Sequence, residues 1–180
     1  MNRNRRSGFT LVELMIVLVI IGIIAAFAIP NLMEAQRSGN ETSAEKAMRT
    51  LIDAQSNFMK ADYDGGGKTF AVALYDRYGQ TDGAGTVVAL INESLASGAK
   101  EGYLYSQMAT YNGAGGTNPA FGFAYCAVPA SYGESGRRTY IARHTGEIWY
   151  IDSGASTVET DWIWPDDGAL VTANWTRLGE

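Results

Sequence analysis

The sequence has one cysteine, one histidine and four prolines in 180 residues. The lone Cys126 excludes an internal disulfide. It stands in an apolar strand-like run and reads as a small buried hydrophobe. A catalytic thiol would need a base beside it, and the one imidazole, His144, falls in a turn pattern that reads as solvent-facing. No nucleophile–base constellation is left, so nothing in the residues favours an enzyme. Basic residues are also in short supply, 14 against 19 acidic, for a net charge of −5. That balance excludes nucleic-acid binding through a general electrostatic footprint. A third absence is local: from Leu14 to Ile29 there is no charged side chain.

What fills that gap is almost entirely aliphatic. In front of it stand Ser7-Gly8-Phe9-Thr10-Leu11-Val12-Glu13 and three arginines, Arg3, Arg5 and Arg6. As a helix, residues 9–29 rise about 31 Å, enough to cross a bilayer core. The arginines predict a cytoplasmic N-terminus with the body outside. A secretory signal peptide is one reading, since Ala26-Phe27-Ala28 fits a small-x-small cleavage pattern. It does not account for Glu13, nor for helix-favouring sequence beyond Pro30. A plain anchor leaves Glu13 as an uncompensated charge in an apolar helix. A third reading supplies the partner. Cleavage after Gly8 frees the amine of Phe9, cationic at neutral pH and four residues from Glu13. The amine of one chain can then meet the carboxylate of a neighbour when helices pack side by side.

Gly8-Phe9-Thr10-Leu11-Val12-Glu13-Leu14 resembles the type III signal of type IV pilins and of the pseudopilins of type II secretion. The resemblance is strong from about Arg6 to Phe58 and includes Pro30. It implies cleavage between Gly8 and Phe9, N-methylation of Phe9 by a prepilin peptidase, and pairing of Glu13 with a neighbouring subunit's terminal amine.

Beyond the apolar run the helix pattern continues. Gly22 and Pro30 predict bends rather than a stop, and Ser38-Gly39-Asn40 a further weak point. Ala44, Ala47, Met48, Leu51, Ile52, Gln55, Phe58 and Met59 recur at threes and fours, one amphipathic face with Gln55 as its polar member. Asp62 to Gly67 reads as the stop. It makes half a calcium loop at most, and Gly65 to Thr69 lacks the spacing of a phosphate loop. Phe70–Tyr78 and Thr86–Leu95 read as short helices, the second stopped by Gly98. Strands are expected over 103–108, 121–128, 138–143 and 148–151, with His144 to Glu147 as a hairpin turn. Arg137 and Arg138 read as solvated strand-edge charges. All four tryptophans and ten tyrosines lie beyond residue 60, which favours a sheet with an aromatic face. The acidic, Trp-bearing tail reads as a wrap docked on the sheet, or as a subunit contact. Asp161, Asp166 and Asp167 are weak metal candidates there, since some pseudopilins hold calcium near C-terminal loops; no other cofactor is expected.

The expected protein is α+β and pilin-like: one long N-terminal helix, transmembrane in its first half and amphipathic in its second, on an antiparallel sheet of three to four strands. The segments are a removed leader (1–8), the helix (9–62, with 9–29 in the membrane), a connecting region (63–101) and the sheet with its tail (102–180). Removing the leader leaves 11 basic against 19 acidic residues, or −8. The expected role is a structural subunit of a type IV pilus or type II secretion pseudopilus, held in the bacterial inner membrane. Its expected partners are the lipid bilayer, a prepilin peptidase, an inner-membrane assembly platform, further copies in a homo-oligomeric filament, and related minor pilins. The alternative is an anchored extracytoplasmic binding domain that uses the helix only as a tether.

Overall fold

A computed structural model describes residues 8–62, 70–71, 78–81, 87–108, 122–156 and 167–179. The chain divides into two compact units, Met1–Gln36 and Arg37–Glu180. In the first unit the helix α1 begins; α1 spans Leu11–Ala61. The helix Leu11–Ala61 is long enough, and apolar enough over part of its length, to cross a membrane, and the large apolar side chains from Leu11 to Ile29 are exposed. Pro30 sits inside α1 without breaking it. Having no N–H, it leaves the Ala26 carbonyl without its intrahelical donor. The helix also runs unbroken through Ser38-Gly39-Asn40, where Asn40 donates to the Ser135 carbonyl at 2.8 Å. A tertiary hydrogen bond thus ties down the stretch that local propensity marks as weak.

The second unit packs the rest of α1 on a sheet. Ala44, Ala47, Met48, Leu51, Ala54, Gln55 and Phe58 are buried on one helical face. The helix ends where Asp62 takes a left-handed conformation (φ 51°). Aspartate tolerates that region through its short polar side chain, so the stop precedes the glycines at 65–67, which lie outside the described residues.

A two-stranded antiparallel pair, β1 (Tyr78–Thr81) with β2 (Val87–Ala89), comes next. Of the short helix expected over 70–78, residues 72–77 lie outside the described residues and Tyr78 is in a strand; β2 contradicts the one expected over 86–95. Val87 and Val88 are β-branched and favour a strand, and only the end of that stretch is helical, as α2 (Glu93–Ala96). Asn92 caps it, its side chain accepting from the Leu95 N–H at 2.9 Å. Gly98, at φ 80°, supplies the turn after it.

The main sheet is a six-stranded antiparallel meander: β3 (Ala99–Lys100), β4 (Tyr103–Gln107), β5 (Ala124–Pro129), β6 (Arg138–Arg143), β7 (Ile148–Asp152) and β8 (Thr176–Arg177). The four longer strands match the three or four expected. The two additions are two-residue edge strands, too short to leave a periodic signal. The sheet therefore starts at Ala99 rather than Gly102.

Both faces of this sheet are covered, where one was expected. Side chains alternate along a strand. Tyr125, Ala127, Tyr140, Ala142 and Ile148 face α1 together with Tyr103, Tyr105 and Phe123. Ala124, Cys126, Val128, Ile141 and Trp149 face a second core closed by Met108, Leu170 and Trp175. Every residue of β5 is buried for this reason. Leu170 belongs to α3 (Asp167–Thr172). Trp175 thus docks on the sheet as the wrapping reading expects; Trp162 and Trp164 lie outside the described residues.

Two polar readings change. Arg138 lies on an inner strand: its guanidinium stacks 4.6 Å from the Tyr150 ring centre and stands 3.7 Å from the Glu41 carboxylate. The Arg137 N–H donates to that same carboxylate at 3.0 Å. These residues tie the sheet to α1 rather than guarding an edge. His144 is half-buried, its ring edge-on to Phe123 at 6.4 Å, and Gly122 has no room for a Cβ because His144 occupies that space. Burial, and then the neighbouring Arg143, hold its imidazole below its ordinary value of 6.5. The unfolded chain therefore binds this proton first. Stability contributed by neutral His144 is complete above pH 6.5 and falls as pH drops toward the lower folded pKa. Thermal melts of wild type and His144→Gln between pH 7.5 and 5 should show a decline near pH 6 that the variant lacks. Parallel curves would refute the assignment.

Candidate assembly site at the N-terminal helix

Thr10 precedes the first helical residue, and its carbonyl accepts from the Leu14 N–H at 3.3 Å. That makes Thr10 the N-cap and Glu13 the third helical position. The Thr10 N–H donates to Glu13 Oε2 at 2.8 Å, the Thr10 hydroxyl donates to the same oxygen at 2.7 Å, and the Glu13 N–H donates to Thr10 Oγ1 at 3.2 Å. This is a reciprocal capping box, which satisfies helix-end donors that otherwise have no partner. Its sequence signal is Thr10-x-x-Glu13 before an apolar run. A reading centred on the charge of Glu13 passes over it.

The cap turns the Glu13 carboxylate toward the start of the helix. Oε2 is engaged by Thr10, and Oε1 accepts no hydrogen bond among the described residues. One chain therefore holds the acid with an acceptor open at the end where Gly8 and Phe9 lie. Phe9 is 85% exposed, so among the described residues nothing packs over the Gly8–Phe9 peptide bond. Arg3, Arg5 and Arg6 lie outside the described residues. A Cβ on Gly22 would meet nothing within 4 Å; within one chain, packing does not require glycine there.

Of the three aspartates considered for a metal, Asp161 and Asp166 lie outside the described residues. Asp167 opens α3. Among the described residues no group of three or more His, Cys, Asp or Glu side chains could hold a metal ion.

A capped apolar helical span with Glu13 as its one charged residue, on a helix whose later part is the buried stripe of an α+β unit, defines a class of helix-anchored proteins. The comparisons narrow it. Residues 3–29 match the family model described as the prokaryotic N-terminal methylation motif. The chain is 48% identical over 54 residues to the type IV major pilin protein PilA of Myxococcus xanthus, 30% of this chain and 24% of that protein. It is 48% identical over 54 residues to the type II secretion system core protein G of Aeromonas hydrophila, 30% of this chain and 38% of that one. It is 57% identical over 56 residues to the type IV wide pilus major component PilA4 of Thermus thermophilus, 31% and 42% of the two chains. Over this N-terminal third the chain carries the methylation motif and is similar to type IV pilins and to type II secretion core protein G. The matches span about a quarter to two fifths of the length of these relatives. Residues 99–162 match a second model, described as a protein of unknown function (DUF2950). No solved structure matches the chain.

Proposed function

We propose that the protein is a structural subunit of a type IV pilus or type II secretion pseudopilus, with no enzymatic activity of its own. One observation carries this: the capped Glu13 stands at the head of an apolar helical span whose large side chains from Leu11 to Ile29 are exposed, four residues after the Gly8–Phe9 junction. Exposed apolar surface on that scale needs lipid or other helices around it. Both occur in turn if the subunit waits in the inner membrane and is then built into a filament. The basic leader faces the cytoplasm, prepilin peptidase cuts after Gly8 and methylates Phe9, and an assembly platform extracts the subunit. Copies of the chain, with related minor pilins, then bundle through residues 9–29 while the acidic units face solvent. The mature chain starts at Phe9, with residues 63–98 connecting helix and sheet.

The test is the mass of the N-terminal peptide from membrane fractions of cells expressing the chain with a prepilin peptidase. A peptide starting at methylated Phe9 is expected. An uncleaved Met1, or a start at Ile29, would overturn the proposal and leave an anchored domain or a secreted one.

A further inference from the structure

A polar groove of about 570 Å³ opens in the second unit between α1 and the turn after β3. On the helix side it is lined by Ser38, Thr42, Ser43 and Lys46, and on the sheet side by Lys100 and Glu101. Ser38, Thr42 and Lys46 fall on one face because they are spaced by four, and Ser43 lies four beyond Gly39 on the adjoining row. Gly39, also in the wall, leaves space that a Cβ could occupy without meeting any atom within 4 Å. Opposite, Glu101 is held at φ 47° and is followed by Gly102 at φ 75°. This left-handed turn closes against α1: a Cβ on Gly102 would stand 3.0 Å from Asn40 Nδ2 and 2.9 Å from Ser135 Cβ.

The charges are the informative part. Arg49 pairs with Glu45, Arg138 with Glu41, and both Arg143 and Arg177 with Glu147. Lys46 and Lys100 form no ion pair among the described residues, although the protein has an excess of acids. Two ammonium groups facing one carboxylate leave the groove with net positive charge. The Thr42 hydroxyl donates to the Ser38 carbonyl at 2.9 Å, so toward the groove it offers lone pairs. The Ser43 hydroxyl makes no hydrogen bond among the described residues and can donate or accept.

From this arrangement we infer that the groove binds a phosphorylated polyol: the ammonium groups of Lys46 and Lys100 take the phosphate, while Glu101, Thr42 and Ser43 take the hydroxyls. The volume is that of a small-ligand site and exceeds what a bare phosphate fills. Among the described residues the wall has no aromatic ring on which a nucleotide base could stack. Carboxylate and hydroxyl acceptors beside the ammonium groups suit a ligand that carries O–H donors next to its anion. The phosphopolyol could be a free solute or a glycerophospholipid headgroup. The inference does not depend on filament assembly.

The probe is sn-glycerol 3-phosphate, titrated into the full chain in zwitterionic detergent at physiological salt, followed by amide shifts of Gly39, Ser43 and Lys100. Saturable shifts are expected, weakened by about tenfold or more in Lys46→Gln/Lys100→Gln, since both charge-assisted hydrogen bonds to the phosphate are lost. Both lysines are away from the core, and unchanged shifts for Tyr125 and Ile141 would show that the variant is folded. A second arm compares nanodiscs of phosphatidylglycerol with phosphatidylcholine. Shifts with the free solute alone identify a soluble ligand, and shifts with phosphatidylglycerol identify a headgroup; either supports the site. Shifts of equal strength with glycerol or with inorganic phosphate would overturn the ligand class. No saturable shift with either source, or undiminished binding in the double variant, would overturn the site.

Discussion

Glu13→Ala should be cleaved normally and remain in the membrane, yet filament yield should fall by roughly an order of magnitude or more, because each subunit loses one ion pair in a water-excluded bundle. The substitution also removes the capping box with Thr10, so a second variant is needed. Glutamine is an accepted residue at the third helical position of such a box. Glu13→Gln therefore keeps an acceptor for the Thr10 N–H and hydroxyl while abolishing the charge that a neighbour's Phe9 amine would meet. If pairing between chains drives assembly, Gln and Ala variants fail alike. If Glu13→Gln assembles normally and Glu13→Ala does not, the residue acts as a cap and the pairing argument is wrong. Filaments sheared from cells, quantified against the membrane pool, measure this directly. N-terminal masses of both variants check that processing is intact.

The two roles need not exclude each other. Both Thr10 donors converge on Oε2, which leaves Oε1 for another cation. A carboxylate that turns freely would have to be ordered when a neighbour arrives. One already held by its own helix start meets that neighbour with its rotamer fixed, so less side-chain entropy is lost on pairing.

How legible this was in the sequence varies with the length scale of each signal. The long helix and the four longer strands follow from periodicity, since apolar runs of that length repeat at 3.6 or at 2. The strand β2 falls where a helix was expected because short apolar stretches such as Val87–Leu90 fit either period. The edge strands β3 and β8, two residues each, leave no pattern; they exist because β4 and β7 present open ladders. The second face of the sheet was hidden for another reason. Alternating burial on two faces gives a run with no polar side, and Ala124–Val128 reads equally well as one strongly buried face. Cys126, assigned from that run as an inert hydrophobe, is buried on the far face with Trp149 and Trp175. At the site, Gly8, Phe9 and Glu13 are singled out by the separation of Phe9 from Glu13 and by the resemblance to a processing signal, whereas the cap formed by Thr10 went unread. The groove around Lys46 and Lys100 joins residues more than fifty positions apart, which no local pattern reports.

Gln55 is the second position where a large effect is expected. It is the one polar side chain on the buried stripe of α1 and is fully inaccessible. Its Oε1 accepts from the Ala71 N–H at 2.9 Å, its Nε2 donates to the Ala71 carbonyl at 2.9 Å, and the same nitrogen donates to the Tyr125 hydroxyl. The amide thus imitates a strand neighbour for Ala71, satisfying both of its backbone groups. Phe70, next in the chain, packs edge-on against Phe123 at 5.0 Å. Gln107 also reaches the Ala71 carbonyl, at 3.3 Å, so the carbonyl has a second donor while the N–H has none in reserve. Replacing Gln55 by Met keeps the volume but strands that buried N–H, which costs about 1–3 kcal/mol beyond the hydrogen bonds lost. A total loss of about 2–4 kcal/mol is expected, a large share of the stability of a domain of this size. Chemical denaturation of the full chain in detergent, followed by tyrosine and tryptophan fluorescence, measures it. Hydrogen exchange at Ala71 gives the decisive local readout. Its amide should lose protection in Gln55→Met even under conditions where Ile141 and Tyr140 in β6 keep theirs. Equal protection at Ala71 in both proteins would mean that the segment is held by the Phe70–Phe123 contact alone and that the buried amide is replaceable.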